Sequence, residues 1–178
     1  RERIRQAPEK FSNAGSRGAY RYHTLSAHQS IIDVAINSPS PGVVDVYILT
    51  KNGIPSPEVI KIVQNYLNDE KIRPLTDYVR VFASEKVEFS INANIVLYMD
   101  ADAESVIKTI DSKMKEYKVL LSEKLGKDVI KTQIISILNS IYGVFKVNLE
   151  TPEEIDIKEY QWADLVDWNI VIEGYANE

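Results

Sequence analysis

Apolar residues take alternate positions over one long stretch of this chain. Val87, Phe89, Ile91, Ala93, Ile95, Leu97 and Met99 are all odd-numbered, and Glu88, Ser90, Asn92 and Asn94 sit between them. Period two is the mark of a half-buried strand, because successive side chains point to opposite faces. Shorter alternations occur at Ile32, Val34 and Ile36 and at Val44, Val46 and Ile48, with Asp33, Ala35, Asp45 and Tyr47 interleaved. Pro39-Ser40-Pro41-Gly42 separates these two as a turn, so the pattern predicts an antiparallel hairpin. Val79, Val81 and Ala83 predict a third strand, and Phe145, Val147 and Leu149 another. Trp168, Ile170 and Ile172 predict a closing strand after Ile155, Ile157 and Trp162.

Helical spacing fills the gaps. Residues 18–29 suit a short helix with Ser16 as N-cap. Ser56 followed by Pro57 and Glu58 is a helix start, since proline at the first helical position loses no hydrogen bond and an acid favours the positive end of the helix dipole. Val59, Ile62, Val63, Tyr66 and Leu67 are expected to form its apolar stripe, and Arg73-Pro74-Leu75 to end it. Asp100, Asp102 and Glu104 load the start of a long helix with core face Val106 or Ile107, Ile110, Met114, Tyr117 and Leu121, closed by Gly126. A second late helix carries Ile130, Ile134, Ile137 and Leu138 and stops at Gly143. The expected class is α+β, with two consecutive units of antiparallel strands covered on one face by helices. The expected boundaries are 1–17 as a linker from an upstream domain, 18–85 as a first unit and 86–178 as a second.

Composition narrows the function. The 178 residues are enough to bury a core, and 44% of them are hydrophobic against 26% charged, an ordinary folded-domain balance. The net charge of −5 argues against nucleic acid and acidic lipid as partners. With no cysteine, disulfides, thiolate catalysis and cysteine-based metal sites are excluded. No apolar run approaches the roughly 20 residues of a membrane helix, so membrane insertion is not expected. The chain begins Arg1-Glu2-Arg3 without an initiator Met, which leads us to expect a piece of a longer protein.

Each candidate for chemistry has a plainer reading. Gly15-Ser16-Arg17-Gly18 before a helix resembles a phosphate cradle, but it lacks the Gly-Lys-Ser/Thr ending and no strand precedes it; a turn and helix cap explain it. His23 and His28 are five apart, not the four that put two zinc ligands on one helix face. Counted from Asp100, the sixth and twelfth positions of a calcium loop are Ser105 and Asp111 where Gly and Glu are required. The acids Glu150, Glu153, Glu154 and Asp156 read as a charged loop. No Gly-x-Ser-x-Gly elbow is present. The residues therefore offer no catalytic, cofactor or metal site, and the expectation is a protein that is not an enzyme. Trp162 is a candidate interface anchor, as tryptophan is common at binding hot spots, while Trp168 lies in its strand's apolar register. Arg17, Tyr20 and Tyr22 complete the candidate interface.

Several stretches resemble a known family in the same order and at similar spacing. Ala7-Pro8-Glu9-Lys10-Phe11-Ser12-Asn13-Ala14-Gly15-Ser16-Arg17-Gly18-Ala19-Tyr20-Arg21-Tyr22-His23 resembles the start of the C-terminal region of baseplate J-like proteins of contractile-tailed phages and phage-derived particles. Ser38-Pro39-Ser40-Pro41-Gly42-Val43-Val44 resembles that family's turn and second strand. Arg73-Pro74-Leu75-Thr76-Asp77 resembles the segment before its third strand, and Gly126-Lys127-Asp128-Val129-Ile130 the loop before its second late helix. Residues 150–167 resemble it less. The resemblance implies a structural baseplate wedge component, without cofactor, partnered by other wedge and hub proteins in a sixfold ring. It also implies a place in the virion tail baseplate after assembly in the bacterial host cytoplasm. Two rivals remain at this stage. One is a small-molecule-binding regulatory α+β domain, for which the Asn52-Gly53-Ile54-Pro55 loop would have to line a pocket. The other is a hydrolase using the scattered acids, which would need a cleft where they converge.

Overall fold

The computed structural model describes residues 16–70 and 72–177. Most of the expected linker, residues 1–15, lies outside them, as does Gly15 of the glycine turn. The elements in chain order are α1 (Arg17–Ala27), β1 (Ile31–Asn37), β2 (Val43–Thr50), α2 (Pro57–Leu67), β3 (Tyr78–Ala83), β4 (Glu85–Tyr98), α3 (Ala103–Ser122), α4 (Lys131–Asn139), β5 (Val144–Thr151) and β6 (Gln161–Ala176). They form two compact units. Of the described residues, the first holds those up to Lys86 together with Glu123–Gly126 and Lys158–Trp162. The second holds Val87–Ser122, Lys127–Ile157 and those from Ala163 onward.

The first unit is a three-stranded sheet in the order β1-β2-β3 with α1 and α2 on one face. Ser16 caps α1, its side chain accepting from the Ala19 N–H at 3.1 Å, and Ser56 caps α2 in the same way through Val59. Tyr20 and Leu25 of α1 and Val63 and Leu67 of α2 pack on Val44, Val46, Ile48, Val79 and Val81. The apolar stripe of α2 is rotated from the one expected. Val59, Ile60, Val63 and Leu67 meet the core, whereas Ile62 and Tyr66 are exposed and Tyr66 lies beside the His23 ring. In β1 the register slips between Ile31 and Asp33, so Ile31 and Val34 reach the core and Asp33 is buried on the other face.

The α+β class and the strand-and-helix content are as expected, and β1/β2 and β4/β5 pair antiparallel. One part of the expectation is corrected: β2 and β3 pair parallel, from Val43 opposite Tyr78 to Ile48 opposite Ala83. The connection carries α2 across the sheet and returns the chain to the end at which β2 began, which is how a helical crossover produces parallel neighbours.

The second unit has the sheet order β5-β4-β6. The odd-numbered face of β4 is buried from Phe89 to Leu97, and Met99 lies past the strand end and is exposed. Here too the all-antiparallel expectation is corrected. β6 runs in the same direction as β4, since Glu85 N–H donates to the Tyr160 carbonyl before β6 begins and Met99 N–H donates to the Ala176 carbonyl where it ends. Val106, Ile110, Met114, Tyr117 and Leu121 of α3 and Ile134 and Leu138 of α4 fill the core. Ile107, the other choice at the first core position, is exposed. α3 ends at Ser122, and Gly126 makes a left-handed turn at φ +63° four residues later.

Candidate functional site

The four candidate interface residues lie in the first unit and differ in accessibility. Arg17 is exposed in the first turn of α1. Tyr22 is half-buried, edge-on to the His23 ring at 5.4 Å. Tyr20 is only 2% exposed and donates its hydroxyl to Asp77 Oδ2 at 2.7 Å. Burial, and then that hydrogen bond, pushes its phenol well above the usual tyrosine range. Trp162 is 6% exposed and lies against Gly53, whose missing Cβ would come within 3.1 Å of the indole. Tyr20 and Trp162 thus hold the unit together from inside, and in this conformation they present almost no surface to a partner. The Asn52–Pro55 loop is covered by Trp162 at Gly53, where the rival regulatory reading wanted an open pocket wall.

Among the described residues, no group of three or more His, Asp or Glu side chains is placed to hold a metal ion. His28 Nδ1 meets Ser30 Oγ at 2.7 Å. Glu104 is paired with Lys108 at 2.7 Å, and Glu153 with Lys131 at 2.9 Å. The acids of the 150–156 loop are spread rather than convergent in role: Glu150 accepts from Asn94, Glu153 is ion-paired, and Glu154 and Asp156 are exposed.

The sheet face of the first unit away from α1 and α2 carries a pattern that sequence reading did not single out. Arg80 grips the buried Asp45 with two hydrogen bonds, Nε to Oδ1 at 2.6 Å and Nη2 to Oδ2 at 2.7 Å. This contact raises the Arg80 pKa further and fixes the guanidinium. Beside it the rings of Phe82, Tyr47 and Tyr160 stack in a row, with centroids 5.4 and 5.0 Å apart. Arg80 lies over the Phe82 ring and Lys158 over the Tyr160 ring, at 5.5 and 5.8 Å from their centroids. A trough of about 350 Å³ runs alongside, lined by Ala35, Asn37, Tyr47, Lys158, Glu159 and Tyr160. The alternation of Tyr78, Arg80 and Phe82 along β3 was the available signal, but Tyr160 reaches the row from 78 residues beyond Phe82 and leaves no local trace.

The folded chain is thus an α+β molecule of two units, with aromatic and cationic side chains along one sheet face of the first. Comparison with known proteins narrows the class. The family model described as Baseplate J-like central domain matches residues 12–83, and the one described as Baseplate J-like protein C-terminal domain matches residues 89–169. The chain belongs to the baseplate J-like family. It is 34% identical over 177 residues to a protein described as Baseplate protein J of Escherichia phage P2, a match covering 98% of this chain and 58% of that protein. It thus spans somewhat over half the length of that relative. Its fold is similar to a chain in the cryo-EM structure of the anti-feeding prophage baseplate, 6-fold symmetrised, with a TM-score of 0.63 and 11% identity over 93% of this chain and 41% of the other.

Proposed function

We propose that this chain is part of a structural component of a contractile-tail baseplate, in a phage or a phage-derived particle, and contributes a wedge assembly and docking module. The observation that carries the reading is the ordered pair of matches, central domain then C-terminal domain, together with 34% identity to the phage P2 protein along almost the whole chain. The physical character of the molecule supports it. The buried carboxylates of Asp33 and Asp45 are engaged in internal hydrogen bonds, and the accessible aromatic residues Tyr78 and Phe82 lie on a sheet face suited to contact with another protein. On this reading the protein is not an enzyme and works by interface geometry. Its partners are other wedge and hub proteins, its copies occupy a sixfold ring around the hub, and assembly takes place in the host cytoplasm before the particle is complete. Contacts that differ between two baseplate states would then pass host recognition to sheath contraction. Mass spectrometry of purified tail particles tests this: the full-length protein should be present in fixed ratio to the sheath and spike proteins, and its absence would refute the reading.

A further inference from the structure

Strand β3 lies at the edge of its sheet. Its Tyr78 N–H donates to the Gly42 carbonyl at 2.6 Å, and the Ser84 N–H just past its end donates to the Ile48 carbonyl at 3.1 Å. The even-numbered residues therefore turn their backbone groups toward β2, and Val79 and Val81 turn theirs outward. An open row of this kind is a template for another strand, which folded proteins blunt with edge charges, proline, a bulge or a cover. The other edge strands have such protection. β1 has the register slip at Asp33, β5 exposes Lys146 and Glu150, and β6 exposes Asp167 and Glu173. β3 reads Tyr-Val-Arg-Val-Phe-Ala, a run of strong strand formers without glycine or proline. Its one charge, Arg80, is turned onto Asp45.

Gln64 of α2 reaches this edge. Its Nε2 donates to the Val79 carbonyl at 2.8 Å, and its Oε1 accepts from the Val81 N–H at 2.8 Å. A strand laid parallel to β3 opposite Arg80 would donate one N–H to that same carbonyl and accept at one C=O from that same N–H. The half-buried side chain thus stands where the next strand's backbone groups would be, at the margin of the α2 stripe that meets the core. We propose that Gln64 is an edge guard: its carboxamide takes the place of a fourth strand's backbone and keeps a further strand from adding to β3. Tyr78 and Phe82 then stay exposed for contact through their side chains, while the backbone beneath them is closed to strand addition. The inference goes beyond the baseplate reading and does not depend on it.

Gln64→Met in the 178-residue chain tests the proposal, since it keeps the bulk of the side chain and removes both hydrogen bonds. In dilute solution the Val81 amide should exchange its hydrogen about tenfold faster than in the wild type. By sedimentation velocity the variant should associate at about tenfold lower concentration than the wild type, and Val81 should regain protection as it does. Gln64→Glu keeps an acceptor for Val81 and adds a charge at the edge, so it should associate no more than the wild type. Tyr78→Lys in the Gln64→Met background should reverse the association, because lysine on an edge strand resists pairing. Val63→Ala weakens the same helix from its core side and leaves Gln64 in place, so it should not associate beyond the wild type. A Gln64→Met chain that exchanges and sediments like the wild type overturns the inference. So does association of Val63→Ala to the same extent, or association that Tyr78→Lys fails to relieve.

Discussion

The carboxylate of Asp33 accepts a hydrogen bond from the backbone N–H of Leu125, 92 residues along the chain, at 2.9 Å. The same carboxylate accepts from Arg21 Nη2 at 2.6 Å and from the Val34 N–H at 3.0 Å, and Arg21 also reaches the Val34 carbonyl. One buried acid therefore ties α1, β1 and the returning segment Glu123–Gly126 into the first unit. The second returning segment, Lys158–Trp162, is held by Trp162 against Gly53 and by Tyr160 against Tyr47. Both returning segments lie within the span matched by the C-terminal domain model, residues 89–169, yet they complete the unit matched by the central domain model.

Asp33→Ala should destabilise the protein by about 2–3 kcal/mol, because Arg21 and the Leu125 N–H lose a partly buried partner. Asp33→Asn should cost less, since an amide oxygen still accepts one of those bonds. Urea unfolding checks the magnitude. Hydrogen exchange checks the location, with the Leu125 amide losing protection in the alanine variant and keeping part of it in the asparagine variant.

Gly53 has φ +83° and sits under the Trp162 indole. Gly53→Ala should cost about 1–3 kcal/mol, from the left-handed backbone and from crowding of the ring. Trp162→Ala should cost about 3–5 kcal/mol through the void left behind. Trp162→Phe should fall well below that, because the Trp162 Nε1 has no hydrogen-bond partner to lose. Tryptophan fluorescence of the Gly53→Ala variant should shift, reporting a displaced Trp162; an unshifted spectrum with unchanged stability would show the contact to be slack.

Much of the fold was legible from spacing alone. The odd-numbered face of β4, the Ser56-Pro57 helix start and the five-residue core face of α3 all follow from local periodicity, and the structure places them as expected. What escaped was set by distant contacts. Asp33 on an alternating strand reads as a solvent-facing acid, and only Arg21 and Leu125 make its burial tolerable. The parallel pairing of β2 and β3 could have been argued from the helix between them, since two-residue turns join antiparallel strands and long helical connections join parallel ones. The candidate surface was less accessible still. Tyr20 and Trp162 have the composition of interface anchors but are used for internal packing, and the Phe82, Tyr47 and Tyr160 row draws on three separated parts of the sequence.

Alkaline pH should weaken the fold. Burial, and for Tyr20 also the bond to Asp77, pushes the phenols of Tyr20 and Tyr117 upward, while in the unfolded chain they titrate near about 10. The folded state keeps these protons to higher pH than the unfolded state does. Their contribution is therefore complete below about pH 10 and is lost as pH rises toward the folded-state values. Tyr117→Phe should flatten this alkaline decline. It should be neutral or slightly stabilising at pH 7, because the Tyr117 hydroxyl is buried with no hydrogen-bond partner. Tyr20→Phe should flatten the decline too but cost about 1 kcal/mol at pH 7 through loss of the Asp77 bond. Urea midpoints measured from pH 7 to 11 separate the two.

Gly143 and Gly174 offer a paired test within the second unit. Gly143 has φ +95°, and a Cβ there would stand 3.0 Å from both the Ala101 Cβ and a Val106 methyl. The Ala101 Cβ is fixed to the backbone and cannot swing away, and the Gly143 carbonyl is engaged by the Tyr98 N–H at 3.0 Å. Gly143→Ala must therefore either strain the turn or displace the start of β5 from β4, at a cost of about 2–4 kcal/mol. In a chain of this length that corresponds to a fall of roughly 5–12 °C in Tm. Gly174 lies in β6, and a Cβ there meets nothing within 4 Å. Gly174→Ala should stay within about 0.5 kcal/mol of the wild type, or be slightly stabilising through reduced freedom of the unfolded chain. Thermal unfolding of both variants reads the contrast, and equal shifts would show that the packing around Gly143 yields where these distances say it cannot.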